Sequence, residues 1–379
     1  MLDRVIYIIR KVLALCFYFL PVKDNKIAFI NFNGRGYGCN PKYIAQEILE
    51  RGLPYDLVWL VNNPDEAFPQ GIRKASYGFA RGIYELSTAK VIVVNVKNDL
   101  RIIKKKSQYV IQTWHGSYSA KRLEQAAADT LPAAYLRESE KNSRQTDLFL
   151  SNSRVLSDCY RSDFWCTCEI MECGFPRNDI LFRENETARA KVRQWLGVPE
   201  DSKLAMYAPT FRDDGSTQAY GLDCRSVLNA LQKEGENWRL LIRMHPNVAS
   251  YRDLFLFDDV ILDATGYPDM QELLVAADVL ITDYSSTVFE FAAMKKPVYL
   301  FTPDIQAYQK LRGLMPAFFE MPYPRNETNG ALCDTIGSST PEKAEAEARR
   351  FIDIFGSVDN GTAAAQVTDR IVQVMDGKL

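Results

Sequence analysis

Histidine is almost missing from this chain: 379 residues hold two, His115 and His245. Zinc-site cysteine spacing is also missing. The eight cysteines are scattered, and the closest group, Cys166, Cys168 and Cys173, has neither a CxxC pair nor a histidine beside it. That argues against a metal site there and, in a chain this long, against a secreted disulfide scaffold. Charge of one sign is not in excess. With 46 Lys and Arg against 48 Asp and Glu, the net charge is −2, so no global positive field draws the chain to nucleic acid. No Walker loop, HExxH pair, GxGxxG turn or Ser/His/Asp triad stands in a proper context, and no metal-ligating set is found. Long apolar runs are lacking too, since the uncharged run from Val12 to Val22 is too short to span a bilayer.

Apolar material is nonetheless ample, at 47% hydrophobic and 12% aromatic residues. Short β-rich runs occupy 27–32, 57–61, 91–96, 109–113, 148–151 and 169–172, and again 204–208, 239–244, 260–262, 279–282 and 298–301. Helical stretches such as 41–51, 79–88 and 154–164 lie between them. Strands alternating with helices imply parallel sheets covered on both faces. One sheet of about a dozen strands is at the limit of an open sheet. The sequence therefore predicts an α/β protein of two Rossmann-like domains, residues 23–190 and 191–340, with C-terminal helices in 341–379 that cross back toward the first. Thr340-Pro341 caps a helix start and Gly356 stops it; a last helix runs over 363–375.

Residues 1–22 read as an amphipathic helix. Asp3, Arg4, Tyr7, Arg10, Lys11, Ala14 and Tyr18 trace one stripe; Val5, Ile6, Ile9, Leu13, Cys16, Phe17 and Leu20 form the other face. That fits a helix lying in a membrane interface, with basic groups toward anionic lipid. A helix packed on its own domain is the competing reading. A signal peptide is the weaker one, because Pro21-Val-Lys leads straight into a strand without a small-residue cleavage site.

Both histidines sit just past the C-terminal end of a strand, one per domain: His115 between Trp114 and Gly116, His245 between Met244 and Pro246. Ligands of open α/β sheets bind outside those strand ends. Two such edges facing across a cleft would bring both imidazoles to one site, where a pKa near neutrality suits proton transfer. The bland reading is a satisfied loop residue at each place.

Three further turns carry polar groups after a strand. In Val279–Phe291, Ser285, Ser286 and Thr287 open a helix, where free N–H groups and the helix dipole favour a phosphate. Simple N-capping needs only one of the three hydroxyls. In Met206–Asp214, Thr210 and Arg212 could meet phosphate oxygens, as could Arg243. A local carboxylate such as Asp213 or Asp263 competes for either arginine; the Asp213-Asp214 pair itself reads as solvated loop carboxylates. After the first strand, Gly34, Gly36 and Gly38 alternate in a loop suited to a turn or to close approach of an acceptor.

Taken in order, Phe32–Tyr43, Thr113-Trp-His-Gly116, Tyr207-Ala-Pro-Thr-Phe-Arg-Asp213, Arg243-Met-His-Pro246, Ile281–Ser286 with Phe289, and Lys296–Asp304 resemble the CDP-glycerol glycerophosphotransferase family, over about residues 25–310. The resemblance implies a GT-B architecture and transfer of an alditol phosphate, glycerol phosphate from CDP-glycerol first among them. The acceptor would be a lipid-linked or polymeric glycan and the released product CMP. It implies no cofactor or obligatory metal, and peripheral attachment at the cytoplasmic membrane face. His115 is then the general base and His245 a donor-phosphate or leaving-group contact. Thr210, Arg212, Arg243, Asp283, Ser285, Ser286, Thr287 and Glu290 bind the donor, with Glu290 on the ribose. Gly34, Arg35, Gly36, Trp114 and Gly116 meet the acceptor. Where family members often read HGTPLK, this chain has His115-Gly-Ser-Tyr-Ser-Ala-Lys121: the proline is absent and the lysine displaced by one. The length points to a primase-like or capsule-type transferase more than to a long-chain polymerase. The rivals are a sugar transferase using a nucleotide-sugar and a non-catalytic nucleotide-binding assembly protein.

Overall fold

The computed structural model describes residues 2–78, 80–97, 102–118, 120–183, 185–212, 214–233 and 235–379, the side chains of residues 2–7, 246, 247 and 249 aside. The chain divides into two compact units. One holds residues 1–115, 124–179 and 358–379; the other holds 116–123 and 180–357.

The first unit is built on β1 (Lys23–Ile30), β2 (Asp56–Val61), β3 (Ile72–Ser76), β4 (Ala89–Val94), β5 (Tyr109–Gln112), β6 (Leu148–Ser151) and β7 (Glu169–Glu172). They form one sheet in the order β3-β2-β1-β4-β5-β6-β7, every pair parallel. Ile27–Ile30 and Val91–Val94 are wholly buried, because a parallel sheet is covered on both faces and its central strands carry apolar side chains in both directions. The second unit uses β8 (Lys203–Tyr207), β9 (Trp238–Ile242), β10 (Ile261–Asp263), β11 (Val279–Thr282), β12 (Val298–Phe301) and β13 (Arg325–Asn326), ordered β10-β9-β8-β11-β12-β13 and again all parallel. In each sheet the strand order reverses direction once, between β1 and β4 and between β8 and β11. Those are the topological switch points outside which ligands bind.

Strands β3 and β13 have no apolar run to announce them. Ile72-Arg-Lys-Ala-Ser buries only Ile72 and Ala75 firmly, and β13 is two residues long. The helix Pro341–Phe355 starts on the Thr340 hydroxyl, which accepts from Lys343 N–H, and stops at Gly356 in the left-handed region. The last helix, Ala363–Met375, belongs to the first unit. Its first N–H groups, from Ala363 and Ala364, donate to the two carboxylate oxygens of Asp179 at 3.0 and 2.7 Å. A carboxylate there satisfies orphan donors and complements the helix dipole.

The N-terminal helix, Leu2–Tyr18, differs from the expected assignment of faces. Leu13 and Phe17, expected on the outer apolar face, pack on the first core beside buried Ala14, and Phe17 meets the Tyr84 ring edge-on at 5.9 Å. Ile9 and Cys16 are exposed as expected, and the exposed apolar stripe beside them is Ile8, Val12, Leu15 and Phe19. The reason is a second apolar stripe at the same helical spacing, which wins the core contact. The side chains of Asp3, Arg4, Val5, Ile6 and Tyr7 lie outside the described residues. No described helix is long and apolar enough to cross a membrane. All eight cysteines are free, and no cluster of three or more metal-ligating side chains occurs among the described residues.

Candidate functional site

Past the end of β5 the backbone is forced into a strained turn. Trp114 has φ of 52°, a conformation that a bulky side chain resists by roughly 1–3 kcal/mol. Buried Asn40 holds it there, its amide donating to the carbonyls of Thr113 and Trp114 at 3.1 and 3.0 Å. Arg177 donates to the His115 carbonyl at 2.6 Å. The ring of His115 is then fixed by Nδ1, 2.7 Å from the carbonyl oxygen of Asn95. A carbonyl only accepts, so Nδ1 carries a proton, and in the neutral imidazole Nε2 is then the nitrogen without one. The same ring meets Trp114 at 4.2 Å and Phe32 at 5.2 Å.

Strain also gathers in the loop after β1. Phe32 and Asn33 have φ of 40° and 58°, and Gly34 and Gly36 have 88° and 63°. Gly34 admits no side chain, because a Cβ would sit 2.8 Å from that of Tyr77. A pair of buried asparagines ties this loop to β4. Asn95 donates to the Asn31 side chain at 2.7 Å and accepts from Phe32 N–H at 2.8 Å. Asn31 donates to the carbonyls of Arg35 and Gly36 at 2.6 and 3.2 Å. One residue, Asn95, thus fixes the glycine loop with its side chain and His115 with its carbonyl. Arg35 is exposed at the loop tip.

In the second unit the turns after β8 and β11 lock to each other. Arg212 is buried and donates through Nε and Nη2 to Asp304 at 2.6 and 3.1 Å, through Nη2 to Asp283 at 2.9 Å, and through Nη1 to the Thr210 carbonyl at 2.6 Å. Asp283 also receives the backbone N–H groups of Thr210 and Tyr284. Arg212 and Asp283, both expected among the donor-binding residues, satisfy each other here and set the loop. Arg243 is likewise turned inward, onto the carbonyls of Ala264, Thr265 and Tyr267. Asp213 lies outside the described residues, and Asp214 is exposed.

The hydroxyl turn keeps more freedom. Ser285 Oγ accepts from Thr287 N–H at 3.3 Å and from its hydroxyl at 3.0 Å, while Ser286, the N-cap of the helix Thr287–Ala293, makes no side-chain capping bond. All three are partly exposed. Gly116 approaches this turn so closely that a Cβ would lie 3.2 Å from Ser286 Oγ. Glu290, expected at the ribose, is fully buried in this structure. His245 meets the Phe211 ring at 4.6 Å with the two planes tilted by 36°, and Lys121 stands 5.2 Å over the same Phe211 ring. Burial, then the charges of Lys121 and Arg243, lowers the His245 imidazole to about 4, so it is neutral at neutral pH.

Asn31, Asn40, Asn95 and Arg177 escape a reading of the sequence, although asparagine at the polar boundary of an apolar strand was a usable signal. Lys121 was legible only as a displaced motif lysine.

The family model described as CDP-glycerol:poly(glycerophosphate) glycerophosphotransferase matches residues 12–373. The chain is 34% identical over 369 residues to a teichoic acid poly(glycerol phosphate) polymerase of Staphylococcus epidermidis, covering 92% of this chain and 51% of that one. It therefore spans about half the length of that relative, and 49% of the Bacillus subtilis polymerase. A Bacillus spizizenii polymerase is 29% identical with 98% of this chain and 97% of its own covered, so length does not separate primases from polymerases. Among solved structures, a histidine-to-asparagine variant of the wall teichoic acid polymerase TagF has a TM-score of 0.85 at 29% identity, covering 100% of this chain and 96% of that one. TagF is also solved after a soak with CDPG.

Proposed function

The chain belongs to the CDP-glycerol:poly(glycerophosphate) glycerophosphotransferase family, and from that premise we propose that it transfers glycerol phosphate from CDP-glycerol to a hydroxyl of a lipid-linked or polymeric teichoic-acid-type acceptor. The acceptor oxygen attacks the β-phosphorus of the donor and its proton passes to Nε2 of His115. The bond from the β-phosphorus to the bridging oxygen breaks, and CMP leaves with the electron pair. Transfers of this kind need positioning and charge stabilisation more than covalent help. Ser285, Ser286 and Thr287 hold the pyrophosphate, and neutral His245 donates one N–H to it. Lys121 supplies the positive charge that Arg212 and Arg243, both turned inward, do not.

One observation carries this reading: the residue after His115 is Gly116, which comes against Ser286 of the hydroxyl turn. The fixed tautomer of His115 supports the base role. The test is release of CMP from CDP-glycerol in the presence of a teichoic-acid-type acceptor. His115→Ala is expected to lower turnover at saturating donor at least about a hundredfold. Near-normal turnover in that variant removes the base assignment. Turnover with UDP-sugars and none with CDP-glycerol replaces the donor.

The proposal extends to peripheral attachment at the cytoplasmic membrane face. The stripe Ile8, Val12 and Leu15 of the helix, continued by Phe19 just past its end, supports it, exposed at i, i+4, i+7 and i+11.

A further inference from the structure

A groove of about 740 Å³ runs beside the N-terminal helix. Five cations line it: Arg10, Lys11, Lys104, Lys141 and Arg144. The rest of the wall is apolar, with Ala14, Leu15, Ile102 and Ile103, except for one amide, Gln145. No carboxylate faces it among the described lining. Carboxylates outside the wall pair with some of these cations. Lys104 is 2.6 Å from Asp147, Arg144 2.7 Å from Glu140 and Lys141 3.4 Å from Glu138. The last two are solvent-exposed pairs within one helix, worth a few tenths of a kcal/mol, so both cations turn readily to another anion. The buried Nε of Arg10 has no hydrogen-bond partner. A buried guanidinium N–H left unsatisfied is costly unless an anion meets it.

The position of the groove says what kind of anion. Leu15 belongs both to its wall and to the exposed stripe of Ile8, Val12 and Phe19, and Ile103 is exposed at its rim. Cations set beside a buried apolar floor of Ala14 and Ile102 and an exposed apolar rim fit an amphiphile, not an inorganic ion. The groove lies at the N-terminal end of β5: residues 102–104 lead into that strand, and Asp147, the partner of Lys104, receives the N–H of Val110. His115 lies past the opposite end of β5. The groove is thus outside the reaction site.

We propose that this groove binds the phosphate headgroup of an anionic membrane phospholipid, with an acyl chain laid along Leu15 and Ile103. The inference rests on the reading that the N-terminal helix attaches to a membrane, and adds a discrete headgroup site to it. The test is sedimentation of the full chain with vesicles of phosphatidylcholine alone or mixed with phosphatidylglycerol. The double substitution Lys141→Ala, Arg144→Ala is expected to weaken binding to the anionic vesicles about thirtyfold. Binding to the neutral vesicles and the melting temperature should stay unchanged. A charge-matched double substitution elsewhere, Arg349→Ala with Arg350→Ala, should leave both unchanged. Equal weakening by the two doubles overturns the site in favour of diffuse attraction. So does release from the vesicles by inorganic phosphate at matched ionic strength, which makes the groove a free-phosphate site. Val12→Asp with Phe19→Asp reports on attachment itself. If that variant loses both vesicles while the Lys141, Arg144 double loses neither, attachment stands and the headgroup site falls; if neither variant changes binding, both fall.

Discussion

The two histidine turns solve the same placement problem by opposite means. Around His115 the backbone is strained at Phe32, Asn33 and Trp114, and neutral asparagine amides hold it in place. Around His245 and the hydroxyl turn no described non-glycine residue of residues 204–294 has positive φ, and the loops are held by charge, through Arg212 between Asp283 and Asp304. Strain with uncharged ties fixes direction, which the proposed base needs. Buried charge fixes loops relative to one another, which the proposed diphosphate site needs.

The contrast breaks most visibly at Arg212. Its side chain and those of Asp283 and Asp304 are only 2%, 2% and 5% exposed. Removing the arginine leaves two carboxylates buried without their cation. Arg212→Ala should cost about 3–5 kcal/mol of stability, measured by urea unfolding, and unsettle the second unit first. A loss under about 1 kcal/mol would show the charges to be solvated and the comparison false.

Asn95→Ala tests the other side. It removes one amide that anchors both Asn31 and the Phe32 N–H, so the glycine loop and the Phe32 ring that flanks His115 are released, while the main-chain carbonyl that holds His115 Nδ1 stays. Turnover should fall by up to about a hundredfold with KM for the donor unchanged. A change confined to KM would move Asn95 out of the positioning role.

Gly116→Ala is a smaller perturbation. The new methyl would press on Ser286 Oγ at 3.2 Å. About 1 kcal/mol of overpacking is expected, read as a roughly fivefold rise in KM for CDP-glycerol. An unchanged KM would separate Gly116 from the donor turn.

The mildest effect is on acid stability. The His245 imidazole is lowered from 6.5 to about 4, by burial first. Between those values the unfolded chain binds the proton and the folded chain does not, so stability falls as pH drops through that window and is fully present above it. His245→Asn should flatten the fall in melting temperature between these limits while leaving it unchanged near neutrality. An equally steep fall in the variant assigns the acid sensitivity to other groups.

Much of the framework was legible because buried parallel strands must be continuously apolar. Ile27–Ile30, Val91–Val94 and Leu204–Tyr207 stand out for that reason, and so does the cap of the helix that begins at Pro341. Edge strands such as β13 need no such run and left no trace. The histidines and the hydroxyl turn could be found because strand ends are where polar residues interrupt apolar ones. The inward turn of Arg212 could not, since Asp304 lies 92 residues away and pairing at that separation is a property of packing. Nor could the exposed face of the N-terminal helix, where two apolar stripes compete and only contact with the core decides between them.

The short excursion of residues 116–123 into the second unit has a consequence for recombination. Tyr118 from that segment joins Phe289 and Phe355 in a ring cluster, and Lys121 bridges to Leu314. A chimera that exchanges residues 180–357 between family members while leaving 116–123 behind would graft a module without one of its own threads. Crossover points chosen at Gly116, Leu123, Ile180 and Ser357 keep each module whole, so the heritable unit that folds as the second module is discontinuous in the gene.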